Sequence, residues 1–435
     1  MKKSNKRSAV AGRRGESRAR ATRRRGRARK AKMADARRRG HDPSSFRSTV
    51  RREGATLGDV FIEDFIRDIV PGELHEKRVQ SLVGGTRGVL SAASLSVSMI
   101  GKGYAAANNS NAKHGIKQVD RLLSNEGIKV WDLFETWVPF VVGDREEIVI
   151  ALDWTEFDRD KQSTIGACLV SSHGRATPLM WKTEMANVLV DGGRTDTETL
   201  LLYRMREVLP SDRKVTIIAD RGFGDQALYQ LLMDWGWDFV IRFRGCIQVT
   251  NTKGESRPAE DWLHASGRAR MLKGVAVTAD QTDIPAVVCA KAKGMKDAWF
   301  LATSRSDLSA SAVVKLYGRR FTIEETFRDL KDARYGLGMS ATRVRSARRR
   351  DRLFLLFAFS HALLTLLGAA SERSGYDRTL KANTSKKRTH SLFNQGRYLF
   401  DAIPNMSDER LLPIMEHFED VLREQAVVRE LFGIL

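Results

Sequence analysis

Ile148-Val149-Ile150-Ala151-Leu152-Asp153 is a short apolar run that ends at a carboxylate, and Val215-Thr216-Ile217-Ile218-Ala219-Asp220 repeats the pattern further along the chain. Continuous apolar runs of this length are typical of strands buried on both faces of a sheet. In α/β proteins, ligands bind at the sheet edge where such strands end. We therefore expect Asp153 and Asp220 to lie at the functional edge of a buried sheet.

The segments around these two strands predict a mixed α/β body. Further strands are predicted at 163–171, 175–183 and 239–243, and helices at 195–208 and 226–235, with Thr195 or Asp196 capping the first helix. Residues 245–304 lack a helical period and predict a β-rich insertion. One long helix is predicted at 308–330. The core is therefore expected at 144–244 and 305–370, with the insertion between its two parts.

Helical segments flank this body. Residues 57–143 predict an all-helical DNA-binding domain, and residues 371–435 predict a helical region that is a candidate for dimerisation. Residues 353–370 carry no formal charge and are just long enough to span a membrane. They contain Ser360, His361 and Thr365 and stand alone in a charge-rich chain. A buried core helix is the preferred interpretation, and we expect no membrane partner.

Charge is concentrated at the N-terminus. The chain has 74 Lys+Arg against 53 Asp+Glu, a net charge of +21, and residues 1–40 hold 18 of the basic residues with only Glu16 and Asp35 opposing them. A basic arm at 1–56, with too little apolar content to order itself, predicts a polyanion-binding protein, and nucleic acid is the commonest such partner. Three widely spaced cysteines argue against a disulfide framework or a zinc finger and favour a cytoplasmic setting.

A third carboxylate, Glu324, lies on the predicted long helix. Two aspartates at strand ends and a glutamate on a helix suit two-metal phosphoryl transfer, because Mg²⁺ prefers carboxylate and water oxygens. At 100° per residue, Tyr317, Arg320, Glu324 and Lys331 fall within about 60° of one another and form one stripe, while Glu325 points about 100° away. Such a stripe could hold phosphates beside a metal site, or could be ordinary helix-stabilising charge pairing.

The segment Tyr317-Gly-Arg-Arg-Phe-Thr-Ile-Glu-Glu-Thr-Phe-Arg-Asp-Leu-Lys331 resembles the Tyr-x2-Arg-x3-Glu-x6-Lys signature of the IS-four family of bacterial insertion-sequence transposases. The following Tyr335-Gly-Leu-Gly is similar to the tetracycline-transposon branch. Ala151-Leu-Asp153-Trp and Ala219-Asp220-Arg-Gly-Phe resemble the two aspartate motifs of the family, and Trp299-Phe-Leu-Ala-Thr303 resembles its Trp-x-Leu-x-Thr motif. The resemblance covers roughly residues 110–375.

The resemblance implies an RNase H-like catalytic core with a β-rich insertion before Glu324. It implies that Asp153, Asp220 and Glu324 are catalytic and hold two Mg²⁺ ions, for which Mn²⁺ can substitute. It implies excision through a DNA hairpin, with Trp299 stacking on a flipped base and Tyr317, Arg320 and Lys331 binding DNA. The implied partners are double-stranded transposon ends and target DNA, bound by a homodimer in the bacterial cytoplasm at the nucleoid.

Two other functions are left open by the sequence. An RNase H-like nuclease would need the three acids but neither the Trp299 motif nor the Tyr317–Arg320 pair. An inactivated transposase acting as a DNA-binding repressor would need no acids, and the intact triad argues against it.

Overall fold

The computed structural model describes residues 59–70 and 72–423, so the predicted basic arm at 1–56 lies outside the described residues. The described elements belong to one compact unit that begins at Asp59. Its first part is helical, as the sequence predicts for this segment. The helices are α1 (Asp59–Ile69), α2 (Glu76–Ala92), α3 (Val97–Ala107), α4 (Ala112–Ser124) and α5 (Val130–Val142).

A mixed sheet forms the centre of the protein. Its strands are β1 (Glu147–Phe157), β2 (Gln162–Leu169), β3 (Thr177–Met185), β4 (Lys214–Ala219), β5 (Asp238–Phe243), β6 (Gln248–Thr250), β7 (Ser256–Pro258), β8 (Arg270–Val277), β9 (Thr282–Ala290) and β10 (Trp299–Thr303). Their spatial order is β3-β2-β1-β4-β5-β10-β9-β8-β6-β7. With helices flanking this sheet, the predicted α/β class is confirmed.

The two central strands, β1 and β4, are parallel and bring their aspartates to one edge. Their last parallel pair is Leu152 with Ala219, directly before Asp153 and Asp220. The prediction that the first strand ends at Asp153 is wrong. Strand β1 continues to Phe157 because β2 returns antiparallel beside it and pairs with this extension.

The insertion is β-rich but continues the main sheet. Strand β10 pairs with the core strand β5, and β9, β8, β6 and β7 follow outward from it. The side chains of β9 and β10 are mostly buried. Trp299 is the first residue of β10, so the insertion returns its chain to the core directly beside the strand that follows Asp220.

Two helices connect the core strands. They are α6 (Gly193–Val208) and α7 (Gln226–Asp234). The prediction that Thr195 or Asp196 caps α6 is wrong, because the helix begins earlier, at Gly193, directly after Gly192. Gly192 has φ 93°, a left-handed conformation that suits glycine, and it turns the chain into the helix without a side-chain cap.

The predicted long helix at 308–330 is divided into α8 (Ala310–Gly318) and α9 (Phe321–Lys331). At the junction, Arg320 donates its backbone N–H to Tyr317 three residues back, and Ile323 donates to Arg320 in the same way. Three-residue hydrogen bonds tighten the helical turn. The stripe calculated for one continuous helix therefore does not hold across the junction, and Tyr317 belongs to a different helix from Glu324.

The C-terminal part is built on α10 (Ala347–Arg373), with α11 (Leu392–Ala402) and α12 (Asp408–Arg423) packed against it. Among the described residues, α10 is the one helix long and apolar enough to cross a membrane by length and composition. Its apolar window is entirely buried inside the protein. The predicted core helix is thus confirmed at the level of burial.

Candidate active site

Asp153, within β1, and Asp220, directly after β4, are held by short local hydrogen bonds. The Oδ1 atom of Asp153 accepts from the backbone N–H of Trp154 at 2.9 Å. The Oδ1 atom of Asp220 accepts from the backbone N–H of Gly222 at 2.8 Å, which caps a short 3₁₀ turn after β4. In each aspartate the backbone thus holds Oδ1 and leaves Oδ2 for other partners.

Helix α9 lies close over β1 and β2 because of a glycine. Gly166 pairs with Asp153 across the strands, and a Cβ atom added to Gly166 would come within 2.8 Å of the Phe327 ring. The far side of α9 is anchored by Asp329, which accepts from Arg175 Nε at 2.5 Å. This close approach brings Glu324, one turn before Phe327, to the same edge as Asp153.

Arg320 joins the helix to the strand. Its Nη1 atom donates to Asp153 Oδ2 at 3.2 Å, and its Nη2 atom donates to Glu324 Oε1. The Arg320 side chain is 8% exposed, whereas that of Glu324 is 42% exposed. A buried guanidinium thus bridges two of the three predicted metal ligands.

Burial and like charge perturb Asp153 strongly. Desolvation is the main cause that raises the pKa of Asp153 to about 6; Arg320 opposes the rise, and the nearby Asp220 and Glu324 carboxylates add to it. Clustered carboxylates disfavour one another's ionised form unless a cation compensates them. The third carboxylate is therefore close enough to act on the first, and Arg320 supplies compensating charge.

The donor set suits a divalent cation by its chemistry, since carboxylate oxygens are the ligands that Mg²⁺ prefers. Across residues 59–70 and 72–423, no three acidic, histidine or cysteine side chains converge closely enough to hold an ion as they stand. Two of the three predicted ligands, Asp153 and Glu324, instead form ion pairs with Arg320. Asp153, Asp220 and Glu324 are the candidate metal ligands, and two of them would have to exchange Arg320 for the ion.

An open cleft of about 510 Å³ lies over these groups. Asp153, Glu324, Lys331 and Ser340 are among the residues that line it. Asp220 does not line this cleft; Arg221, its neighbour in sequence, lines a second one of about 370 Å³. The structure thus brings Asp153, Glu324 and Lys331 into one opening, as the sequence predicts, with Asp220 beside it.

Trp299 and Tyr317 form an aromatic cluster next to the carboxylates. Their ring centroids are 4.9 Å apart in an edge-on contact, and Phe321 lies 6.0 Å from Trp299. Tyr317 is 1% exposed, Trp299 is half-buried and Phe321 is 44% exposed. Tyr317 is therefore buried in contact with Trp299 and Arg320, whereas Trp299 and Phe321 form the accessible aromatic surface. The sequence argument did not include Phe321.

Residues 144–363, just over half of the chain, match the family described as Transposase DDE domain. The chain belongs to this family. A comparison with curated proteins found no match. The matched range of the transposase runs from just before β1 into α10, so it includes Asp153, Asp220 and Glu324. The family supports the RNase H-like character of the core and implies DNA as the substrate.

A carboxylate that sequence reasoning missed lies beside the transposase site. Glu198 on α6 accepts from the indole N–H of Trp154 at 2.7 Å, and Arg194 lies 4.8 Å from the Trp154 ring centroid. Burial raises the pKa of Glu198 to about 7, with Asp225 and Asp220 adding to the rise. No periodic pattern marks Glu198, because its contact with Trp154 depends on how α6 packs on the sheet. Its hydrogen bond fixes the residue that follows Asp153.

Proposed function

We propose that this transposase excises an insertion sequence and joins it to target DNA by two-metal phosphoryl transfer. Asp153, Asp220 and Glu324 act as ligands of two Mg²⁺ ions, and Mn²⁺ can substitute. The observation that carries the proposal is the position of three carboxylates near one sheet edge. Two come from adjacent parallel strands, and the third is tied to the first by Arg320. Chains with a Transposase DDE domain typically use divalent metals, which fits this donor set.

The protein groups have distinct tasks in this proposal. The ions that Asp153, Asp220 and Glu324 would hold would supply activation of the attacking oxygen and stabilisation of the leaving oxygen. Lys331 lines the cleft and supplies a positive charge for a phosphate there, and Arg320, which binds Asp153 and Glu324 at the edge of the cleft, supplies a second once it is released from them. Trp154, held by Glu198, keeps the backbone after Asp153 in place.

We further infer that the chain follows the IS-four branch, and within it the tetracycline-transposon group. This includes excision through a hairpin, a homodimer that holds two DNA ends, and a bacterial cytoplasmic location at the nucleoid. The support is the spacing of Tyr317, Arg320, Glu324 and Lys331 and the aromatic surface of Trp299 and Phe321 beside the carboxylates.

The catalytic assignment is tested with near-isosteric variants. Asp153→Asn, Asp220→Asn and Glu324→Gln should each reduce Mg²⁺-dependent cleavage of a labelled DNA end to background while leaving DNA affinity largely intact, because a carboxamide is a poor metal ligand. The matched control is Glu325→Gln. Glu325 pairs with Arg175 and Arg328 and is not among the residues that line the cleft, so this variant should keep most activity.

The outcomes also separate the alternatives. A wild-type chain that binds DNA ends but never cleaves them, with either Mg²⁺ or Mn²⁺, would indicate an inactivated transposase acting as a repressor. A chain that cuts DNA without joining ends would indicate a nuclease. If Glu325→Gln were inactive and Glu324→Gln active, the assignment of the third ligand would be wrong.

A further inference from the structure

We propose that helix α4 reads the base sequence of the DNA end, with Lys117, His114 and Gln118 directed at base edges in the major groove. This inference rests on the proposed function and deepens it by naming the surface that selects the DNA. The major groove of B-DNA admits an α-helix and displays a distinct pattern for each base pair.

The inner face of α4 is fixed by unusually close packing on α3. A Cβ atom on Gly115 would collide with the backbone oxygen of Gly101 and lie 3.0 Å from Ala105 Cβ. Val119, Leu122 and Leu123 are buried on the same face. Because two glycines allow the backbones to touch, α4 cannot rotate, and its opposite face is presented rigidly.

The turn that leads into α4 suits recognition by a helix end. It has four residues, 108–111, which is the length that joins the two helices of a helix-turn-helix. Asn109 adopts a left-handed conformation with φ 46°. The side chain of Asn111 caps α4 by accepting from the Lys113 backbone N–H at 2.8 Å. The start of the helix is therefore well defined and stands free in solvent.

The outer face of α4 is positively charged and rich in groups that read bases. Lys113, Lys117 and Arg121 follow one another at four-residue intervals and are exposed. Within the described part of the chain, none of the three has an ion-pair partner. The Nε2 atom of Gln118 lies 3.1 Å from Nε2 of His114, and both residues are at the edge of the same face. Lysine, arginine and glutamine are side-chain types that bond to base edges in the major groove.

The one acidic side chain of α4 does not neutralise the basic residues on its outer face. Asp120 is the only acidic residue in the helix, and it accepts from Arg349 Nη2 at 2.6 Å. Arg349 also donates to Ser124 in the last turn. The C-terminal half of α4 is thus anchored to the start of α10, while the N-terminal half, with Lys113, projects outward. The surface complements a polyanion such as duplex DNA.

A loop connects this surface with the catalytic cleft. Ser340 lines the cleft, and two residues later the Thr342 hydroxyl donates to the backbone oxygen of Leu95, between α2 and α3. Arg343 and Arg345 are exposed on the same loop. The loop that joins the cleft to the α2–α3 connection therefore carries two exposed basic side chains, which suit contacts with DNA phosphates.

The test uses the full chain and separates specific from general DNA binding. A duplex is first selected from a randomised pool by the wild-type protein, and a shuffled duplex of equal composition serves as the reference. Gln118→Ala and Lys117→Ala should each lower the preference for the selected duplex by about 5- to 150-fold, the discrimination given by one good base contact. Affinity for the shuffled duplex should change little with Gln118→Ala. Lys253→Ala, an exposed lysine in the insertion, is the matched control.

Two results would overturn the proposal. One is an unchanged preference in both α4 variants; the other is an equal loss of affinity for both duplexes in both variants, which would indicate phosphate contacts alone. Thermal unfolding of each variant checks that the fold is intact. The result is distinguishable from failure of the proposed function, because wild-type cleavage with Mg²⁺ is measured separately. If the protein cleaves DNA but its preference is unaffected by the α4 substitutions, only the role of α4 in sequence recognition is rejected. If its preference depends on α4 but it never cleaves DNA, only the proposed transposition chemistry is rejected.

Discussion

Arg320 is the residue on which the state of the active site depends. Its guanidinium satisfies Asp153 and Glu324 at once and is almost fully buried. A metal ion that binds these carboxylates must therefore compete with an internal cation. DNA phosphate offers Arg320 an alternative partner, so metal binding and DNA binding should favour each other at this site. Coupling of this kind would limit metal loading when no DNA is present.

The competition predicts opposite effects of Arg320→Ala on two measurements. In the DNA-free protein, Mn²⁺ should bind about tenfold or more tightly than in the wild type, because a charge-assisted hydrogen bond worth about 1.5–3 kcal/mol no longer opposes it. Cleavage of DNA should fall to background, because the phosphate loses its partner. Calorimetric titration with Mn²⁺ and a cleavage assay provide the two values. Arg319→Ala is the control, and weaker Mn²⁺ binding in Arg320→Ala would reject the competition.

Trp299 is the residue whose role separates a hairpin route from simple cleavage. Its ring is half-buried against Tyr317 and faces Phe321. Forming a hairpin forces a tight turn of one strand, and stacking on an aromatic ring compensates a base that leaves the helix by about 1–3 kcal/mol.

Trp299→Ala should leave the first nick nearly normal and slow hairpin formation or resolution by roughly 5- to 150-fold. The products of a labelled end with Mg²⁺ are resolved on a gel as nicked, hairpin and broken DNA. Trp237→Ala, another half-buried tryptophan, is the control. If the rates of nicking, hairpin formation and hairpin resolution are unchanged in Trp299→Ala, Trp299 serves only in packing. If the wild type forms double-strand breaks without any hairpin, the hairpin route is rejected.

At the scale of elements, the sequence predicted the strands and the acids but not their exact limits. The apolar run before Asp153 marks only the part of β1 that is buried on both sides. The extension to Phe157 is stabilised by pairing with β2, which no local pattern shows. The division of α8 from α9 was missed because the helical period continues across it, and Gly318 was the only local signal. Long-range packing likewise set the contact between Glu198 and Trp154.

Helix α10 contains a buried histidine, His361, which should make the free energy of unfolding fall at acid pH. His361 is fully buried, stacks on Phe393 with ring centroids 4.8 Å apart, and has no hydrogen-bond partner for either ring nitrogen within the described residues. Burial chiefly, with His173 and Arg175 nearby, places the pKa of His361 well below its ordinary 6.5. As the pH falls below 6.5, the unfolded chain takes up a proton here that the folded chain does not. The folded state therefore loses stability on the acid side.

His361→Leu removes this loss. Between pH 7 and pH 5 the wild type should lose about 2 kcal/mol more stability than the variant, since one proton contributes about 1.4 kcal/mol per pH unit below 6.5. Unfolding temperatures measured across this range give the comparison. His264→Leu, at an exposed position, should retain the wild-type pH dependence. Parallel curves for wild type and His361→Leu would show that His361 becomes protonated within the fold.

At the scale of the whole molecule, charge separates two kinds of DNA binding. Residues 1–40 carry a net charge of +16, and the other 395 residues carry only +5. On the body, the exposed basic residues of α4 and of the loop before α10 are candidates for specific contacts. The arm lies outside the described residues, and its predicted task is general attraction to DNA phosphates. The two tasks should be separable by deletion.

Deletion of residues 1–40 should therefore weaken binding to all duplexes by a similar factor and keep the preference for a selected duplex. Each phosphate contact contributes about 0.9 to the slope of log affinity against log salt concentration, because counterions are released from duplex DNA. The slope should flatten by that amount for every contact the arm makes.

The measurement is a salt titration of affinity for full-length and truncated chains. A full-length variant with the Lys and Arg of residues 1–40 changed to Gln is the control for length, and it should behave like the deletion. Equal slopes for full-length and truncated protein would show that the arm does not touch DNA. A lost preference with an unchanged slope would transfer sequence recognition from the helical part to the arm.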